Sequence, residues 1–132
     1  MAHEEICTYE VCKLAKEKGF DVHPPMYFHS GVKSDLREVG SKGANPNNIP
    51  HSPHISCPTQ TQLQRWLREE KGLCISVEAY PTLTINGKIC FAWVIKSGSD
   101  GYFMESNDSL QTFSTYELAL EDALKYALKN LE

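Results

Sequence analysis

Two histidines and a cysteine recur at three-residue spacing in the segment HSPHISC, as His51, His54 and Cys57. Imidazole and thiolate groups are the ligands that zinc prefers in structural sites. A cysteine with a neighbouring histidine as its base can also act as a nucleophile. These three residues are therefore the first candidates for a binding or catalytic site in this chain.

The prolines in and around this segment (NIPHSPHISCP) argue against a metal site built from these three residues alone. They favour a polyproline-like conformation, in which the candidate ligands would lie roughly 9 Å apart at ~3.1 Å rise per residue. A structural zinc ion binds four ligands at about 2.0 to 2.3 Å. The fourth would have to come from His23, His29 or Cys12, and we therefore predict no physiological metal site.

A catalytic thiol has one feature in its favour. Cys57 lies two residues before Thr59, a predicted helix N-cap, and the positive end of a helix lowers the pKa of a thiol. His54 would serve as the base if the chain turned back on itself. The sequence places no acid to orient this histidine and indicates no oxyanion hole. It therefore favours a buried cysteine at the entry to a helix.

Signatures of other chemistries are absent from the sequence, which contains no P-loop, G-x-G-x-x-G, H-E-x-x-H or G-x-S-x-G motif. The acidic pairs Glu69–Glu70 and Glu121–Asp122 are helix neighbours that point in different directions, so neither is a ready acid–base pair. We expect both pairs to be solvated surface. We predict no catalytic residue and no cofactor.

The composition is that of a globular protein with no general affinity for nucleic acid. The 132 residues are 41% hydrophobic and 23% charged, with a net charge of −4, and the basic residues are scattered among acids. Trp66, Trp93 and Tyr102 would offer a stacking platform for bases only with basic residues beside them. Trp93 shares a strand face with apolar residues, which predicts a core position. Nucleic-acid binding is therefore an alternative that the sequence does not favour.

Several features predict a cytoplasmic location. The first ten residues, MAHEEICTYE, carry acids where a signal peptide would carry bases, and no apolar run approaches the roughly 18 residues of a membrane helix. The five cysteines are an odd number without a C-x-x-C pair, which is typical of reduced thiols. We expect no membrane partner.

Helix and strand signals alternate along the chain. Helices are predicted over residues 7–21, 59–72 and 114–132, with N-caps at Thr8, Thr59 and Ser114. Strands are predicted over residues 26–30, 73–79, 82–95 and 102–106, with Asn86-Gly87 as a hairpin turn. We therefore predict a single α+β domain over residues 1–132. It would have two layers, with a three- to four-stranded, mainly antiparallel sheet and the helices packed on one face.

The segment from Gly31 to Pro53 is rich in glycine, proline and asparagine, and it predicts a long exposed loop with one helical turn at SDLREV. A loop of this length in a small domain is usually functional or disordered. The loop and the exposed side of the sheet are the expected contact surfaces. A homodimer is also expected, because the strand around Trp93 is apolar on both faces and an exposed sheet needs covering.

Three segments, TYEVCKLAKEKGF, RWLREEKGLCISV and TYELALEDALKYAL, resemble small uncharacterised proteins of gut-bacterial prophages and mobile elements. The resemblance covers positions 8–20 and 59–131. It implies an accessory protein of a bacterial or phage cytoplasm and carries no catalytic residue. We therefore expect a non-enzymatic binding or adaptor protein that acts through protein contacts. The alternatives are a thiol- or metal-dependent enzyme centred on His54 and Cys57, and a nucleic-acid-binding accessory protein.

Overall fold

The structure, a computed structural model, describes residues 5–40, 45–49, 51–85, 88–97, 103–105 and 112–131. It confirms the predicted α+β class. The helices are α1 (Tyr9–Glu17), α2 (Gln60–Lys71) and α3 (Tyr116–Lys129). The strands are β1 (Met26–Phe28), β2 (Leu36–Glu38), β3 (Ile55–Cys57), β4 (Leu73–Ile85), β5 (Lys88–Ser97) and β6 (Phe103–Glu105).

The strands form two antiparallel sheets instead of one sheet of three to four strands. The small sheet has the order β2-β1-β3, and the large sheet has the order β4-β5-β6. Ile85 pairs with Lys88, so the predicted hairpin is confirmed, although its turn at residues 86–87 lies outside the described residues. The small sheet was not predicted, because β2 and β3 have three residues each and show no recognisable alternation.

The helix ends follow from local hydrogen bonding. Thr8 caps α1, and Thr59 forms the predicted capping box with Gln62 at the start of α2. Gly72 ends α2 in the left-handed conformation with a φ of +67°. The cap of α3 is Thr115 and not the predicted Ser114, because the Thr115 hydroxyl accepts the N–H of Leu118 at 3.1 Å. The prediction was thus wrong by one residue.

The main core lies between the helices and one face of the large sheet. Its fully buried side chains come from all three helices, from β3 and from β5, and they include Cys12, Cys57, Leu63, Ile95 and Leu124. No helix in the described part of the chain combines the length and the hydropathy that a membrane span requires.

The predicted loop over residues 31–53 contributes structure to the small sheet. The segment SDLREV contains strand β2 and not the helical turn that we predicted. Met26 pairs with Glu38, and Phe28 pairs with Leu36, so pairing with β1 overrides the local helical preference. A short 3-10 turn at Pro46–Asn48 follows, while residues 41–44 and 50 lie outside the described ranges.

Candidate functional site

The three residues singled out in the sequence, His51, His54 and Cys57, lie in three different environments. Cys57 is on β3 with no exposed surface, His54 is half-buried, and His51 is exposed with a left-handed φ of +58°. Among the described residues, no group of three or more histidines, cysteines or acids is placed to hold a metal ion. The structure therefore does not gather these three side chains into one site.

The Cys57 side chain points into the core, where it meets two other buried thiols. Its Sγ lies 3.4 Å from the carbonyl oxygen of Cys7, and the Sγ of Cys12 lies 3.7 Å from the same oxygen. Burial raises the pKa of the Cys7 thiol, and the nearby Glu121 carboxylate raises it further. A hydrogen bond with Cys57 raises the pKa of the Cys12 thiol, and burial adds to this effect. Cys7 and Cys12 therefore stay protonated at neutral pH, the opposite of an activated nucleophile.

His54 belongs instead to a cluster of three half-buried rings, which we call the histidine cluster: Tyr27, His29 and His54. The His54 ring centroid lies 4.6 Å from that of His29 and 5.2 Å from that of Tyr27. The Tyr27 hydroxyl lies 3.4 Å from Nδ1 of His29. Pairing of Phe28 with Ile55 brings the end of β1 beside the start of β3, and this pairing creates the cluster.

The backbone around the cluster is held in an unusual conformation. The N–H of Ser30 donates to Nδ1 of His54 at 2.8 Å, with Ser30 at a φ of +55° and Gly31 at +70°. A Cβ atom on Gly31 would lie 2.8 Å from the carbonyl oxygen of Pro53. The two loops, residues 29–31 and 52–54, are therefore in direct backbone contact, and we call this contact the loop clip.

Helix α1 anchors both halves of the loop clip. The Tyr9 hydroxyl donates to the carbonyl oxygen of Gly31 at 2.9 Å. The Lys16 ammonium donates to the carbonyl oxygens of Ser52 and His54 at 2.8 and 2.7 Å. These long-range bonds satisfy loop carbonyls that the secondary structure leaves without partners, and they fix the loops against the helix.

The charged groups beside the histidine cluster are occupied by partners within the protein. Arg37 binds Asp35 through two hydrogen bonds of 2.9 and 3.1 Å, and this pair lowers the pKa of Asp35 and raises that of Arg37. Lys16 is held by the two carbonyl oxygens described above. Lys16 and the side of Arg37 that faces Asp35 are therefore not available to an anion inside the cluster, although the Arg37 side chain stays 51% exposed at β2.

His54 is neutral at neutral pH. Burial lowers its pKa, and the neighbouring basic side chains of His29, Lys16 and Arg37 lower it further. The geometry agrees with this direction, because an Nδ1 atom that accepts a backbone N–H must carry a lone pair. The proton of the neutral ring is therefore on Nε2.

A cleft of about 250 Å³ opens beside the histidine cluster. Tyr27 and His54 line the cleft together with Glu38, at the end of β2, and the two residues that follow it. Pro46 and Ile49 supply an apolar part of its wall. Ile49 is 41% exposed. The cleft is smaller than the roughly 300–1,000 Å³ of typical small-molecule sites, and its wall is partly apolar.

Sequence reasoning missed the roles of the acidic pair Glu121–Asp122, which is not solvated surface. Glu121 accepts hydrogen bonds from the N–H and hydroxyl of Thr8 at 2.8 and 2.7 Å and from the Gln60 amide at 2.9 Å. Asp122 accepts the indole N–H of Trp93 at 2.8 Å. These acids join α3 to α1, α2 and the large sheet. Trp93 itself is buried, as the sequence predicted, and so is Trp66.

We expect the protein to lose stability in mild acid through His54. The pKa of His54 is lowered by folding, so the unfolded chain binds a proton that the folded chain does not. The contribution of His54 to the free energy of unfolding is complete above the pKa of the unfolded chain, near 6.5. It is lost as the pH falls through the pKa of the folded chain. Urea unfolding at pH 7.5 and pH 5.5 should show that the free energy of unfolding falls more for the wild type than for His54→Gln.

The matched control for this experiment is His51→Asn, which removes an exposed histidine from a left-handed position that asparagine tolerates. This variant should keep the pH dependence of the wild type. Equal pH dependence in the wild type and in His54→Gln would contradict the neutral, hydrogen-bonded state that we assign to His54.

Searches with this chain against protein-family models, against curated proteins and against solved structures found no match.

Proposed function

We propose that this protein is a small non-enzymatic binding or adaptor protein that acts through contacts with another protein at the small sheet. The observation that carries the proposal is the exposure of β2, whose three residues are all accessible to solvent on one edge of that sheet. The accessory role in a phage or mobile element that the sequence resemblance implies is part of the same proposal.

The arrangement of the candidate catalytic groups supports binding over catalysis. Cys57 is shielded in the core, and Nδ1 of His54 is occupied by the Ser30 N–H. A thiol-dependent enzyme centred on these two residues would need an accessible sulfur within reach of a histidine nitrogen. A general base needs a free nitrogen lone pair, and the lone pair of neutral His54 is already used.

Exposed apolar side chains near β2 support a protein partner. Val32 is 46% exposed, Leu36 is 37% exposed, and Ile49 lies at the cleft. Apolar side chains next to polar ones are typical of surfaces that bind proteins. The sheet edge and the cleft are also adjacent, because Glu38 ends β2 and lines the cleft.

The experiment is site-specific photo-crosslinking. A photoreactive amino acid at position 36 of the full chain, expressed in its native cell, should form covalent adducts with a protein. The same amino acid at the matched position 69, an exposed site on α2, should not. Val32→Glu should reduce the yield at position 36 because it places a charge on the exposed apolar surface.

The mass of the adducts distinguishes the alternatives. An adduct of twice the chain mass would identify a second copy, as the homodimer expectation requires, and a nuclease-sensitive adduct would identify nucleic acid. Equal yields at positions 36 and 69, or no protein adduct at position 36, would contradict the proposal.

A further inference from the structure

We propose that the outer edge of β2, the edge that does not face β1, binds an extended segment of the partner as an additional antiparallel strand. The segment would read base, acid, apolar residue in its own direction from N- to C-terminus. This inference rests on the proposed function, and it specifies the chemistry of the partner.

The hydrogen bonds of the small sheet show which backbone groups face outward. The N–H of His29 donates to the carbonyl of Asp35 at 2.8 Å, and that of Val39 donates to the carbonyl of Pro25 at 2.9 Å. Residues 35, 37 and 39 therefore face β1, and the alternation of an antiparallel ladder turns the backbone groups of Leu36 and Glu38 to the outer edge. Within the described ranges, β1 is the only strand that pairs with β2.

Such an edge is a template for strand addition, in which main-chain hydrogen bonds supply affinity and side chains supply specificity. A three-residue edge offers only the N–H and C=O groups of two outward residues. Backbone pairing at this edge is therefore too short to select a partner, and the selection must come from the side chains opposite β2.

The side chains of β2 define a complementary segment. In the new ladder, Leu36 and Glu38 would form hydrogen-bonded pairs, and Arg37 would form the non-hydrogen-bonded pair between them, where side chains approach most closely. The Arg37 side chain keeps 51% of its surface exposed despite its bond to Asp35. An acid opposite Arg37, a base opposite Glu38 and an apolar side chain opposite Leu36 are the favourable cross-strand pairs.

A second copy of this chain is a poor occupant of the same edge. Two antiparallel β2 strands centred on Arg37 would place Arg37 opposite its own copy and Leu36 opposite Glu38. The first pair is repulsive and the second buries a carboxylate beside an apolar group. Charge complementarity therefore favours a different protein over self-association.

The test uses a fluorescein-labelled peptide in which Lys-Glu-Val is flanked on each side by three threonines, with binding measured by fluorescence anisotropy. It should bind roughly fivefold more tightly than the composition-matched peptide with Glu-Lys-Val, since the exchange makes both charged pairs repulsive. Arg37→Glu in the protein should abolish this preference. The Arg37 side chain is exposed, so the variant should fold, and Arg37→Gln gives a neutral second check.

Backbone methylation tests the strand geometry directly. Methyl groups on the amides of the Lys and Val residues, which would face β2, should abolish binding. A methyl group on the amide of the intervening Glu, which would face away, should be tolerated. Equal binding of the two methylated peptides, or of the two charge orders, would overturn strand addition.

The peptide and the crosslinking experiments test the strand-addition inference and the proposed function separately. If position 36 captures a protein but the Lys-Glu-Val peptide does not bind, the proposed function stands and the strand-addition inference is wrong. A dimer that Leu36→Glu disrupts would assign the edge to a second copy, and a bound oligonucleotide that competes at this edge would assign it to nucleic acid. Either result would overturn the inference.

Discussion

Gly31→Ala is expected to lower the free energy of unfolding by about 2–4 kcal/mol. The left-handed φ of +70° costs an L-residue about 1–2 kcal/mol. The added Cβ would also lie 2.8 Å from the carbonyl oxygen of Pro53, so the backbone of the loop clip would have to shift, at a further cost on the order of 1–2 kcal/mol. Urea unfolding monitored by tryptophan fluorescence measures the change.

Gly72→Ala is the matched control, because Gly72 has nearly the same φ, +67°, with no atom within 4 Å of the added Cβ. It should lose only the conformational part, about 1–2 kcal/mol. If both variants lose the same free energy of unfolding, the loops accommodate the added Cβ at Gly31 without cost, and the loop clip does not hold the cleft in place. A larger loss for Gly31→Ala, with amide shifts at Ser30 and His54, would show that it does.

The sequence predicts the parts of this fold that depend on neighbouring residues. Thr8, Thr59 and Gly72 mark helix ends because each acts on backbone groups within about four residues of itself. The hairpin arms next to the turn were predictable for the same reason, because a two-residue turn sets the pairing of Ile85 with Lys88 and of Thr84 with Ile89. Between Thr84 and Tyr80 the register shifts, so the rest of the pairing does not follow from the turn. Hydrogen bonds between close neighbours depend little on the rest of the chain.

The candidate site depends on residues that are far apart in sequence, and this is why it was only partly predictable. His54 was singled out, but its contacts with Tyr27, His29 and Ser30 follow from pairing between two three-residue strands. Strands of this length carry too few residues for a recognisable alternation. The prolines around His54 indicated an extended segment, yet nothing in the spacing showed that Lys16 would anchor it.

Cysteine labelling should separate the thiols by a rate ratio on the order of 10³, with Cys74 reacting first. Cys74 is exposed on β4, whereas Cys7, Cys12 and Cys57 are buried and react only when the surrounding structure opens. The raised pKa values of Cys7 and Cys12 slow them further, because the thiolate is the reactive form. Iodoacetamide labelling of the native protein at pH 7.5, followed by peptide mass spectrometry, gives the rates by residue.

Cys74→Ser is the control that lets this result distinguish a binding protein from a thiol-dependent enzyme. The variant should lose the fast phase, and the remaining thiols should label only at the rate of structural opening, which rises with added urea. A fast phase that persists in Cys74→Ser and maps to Cys57 would show an accessible, activated thiol beside His54. That outcome would contradict the proposed binding function and favour the thiol-dependent enzyme, because a fully buried thiol reacts quickly in the folded state only if it is both accessible and activated.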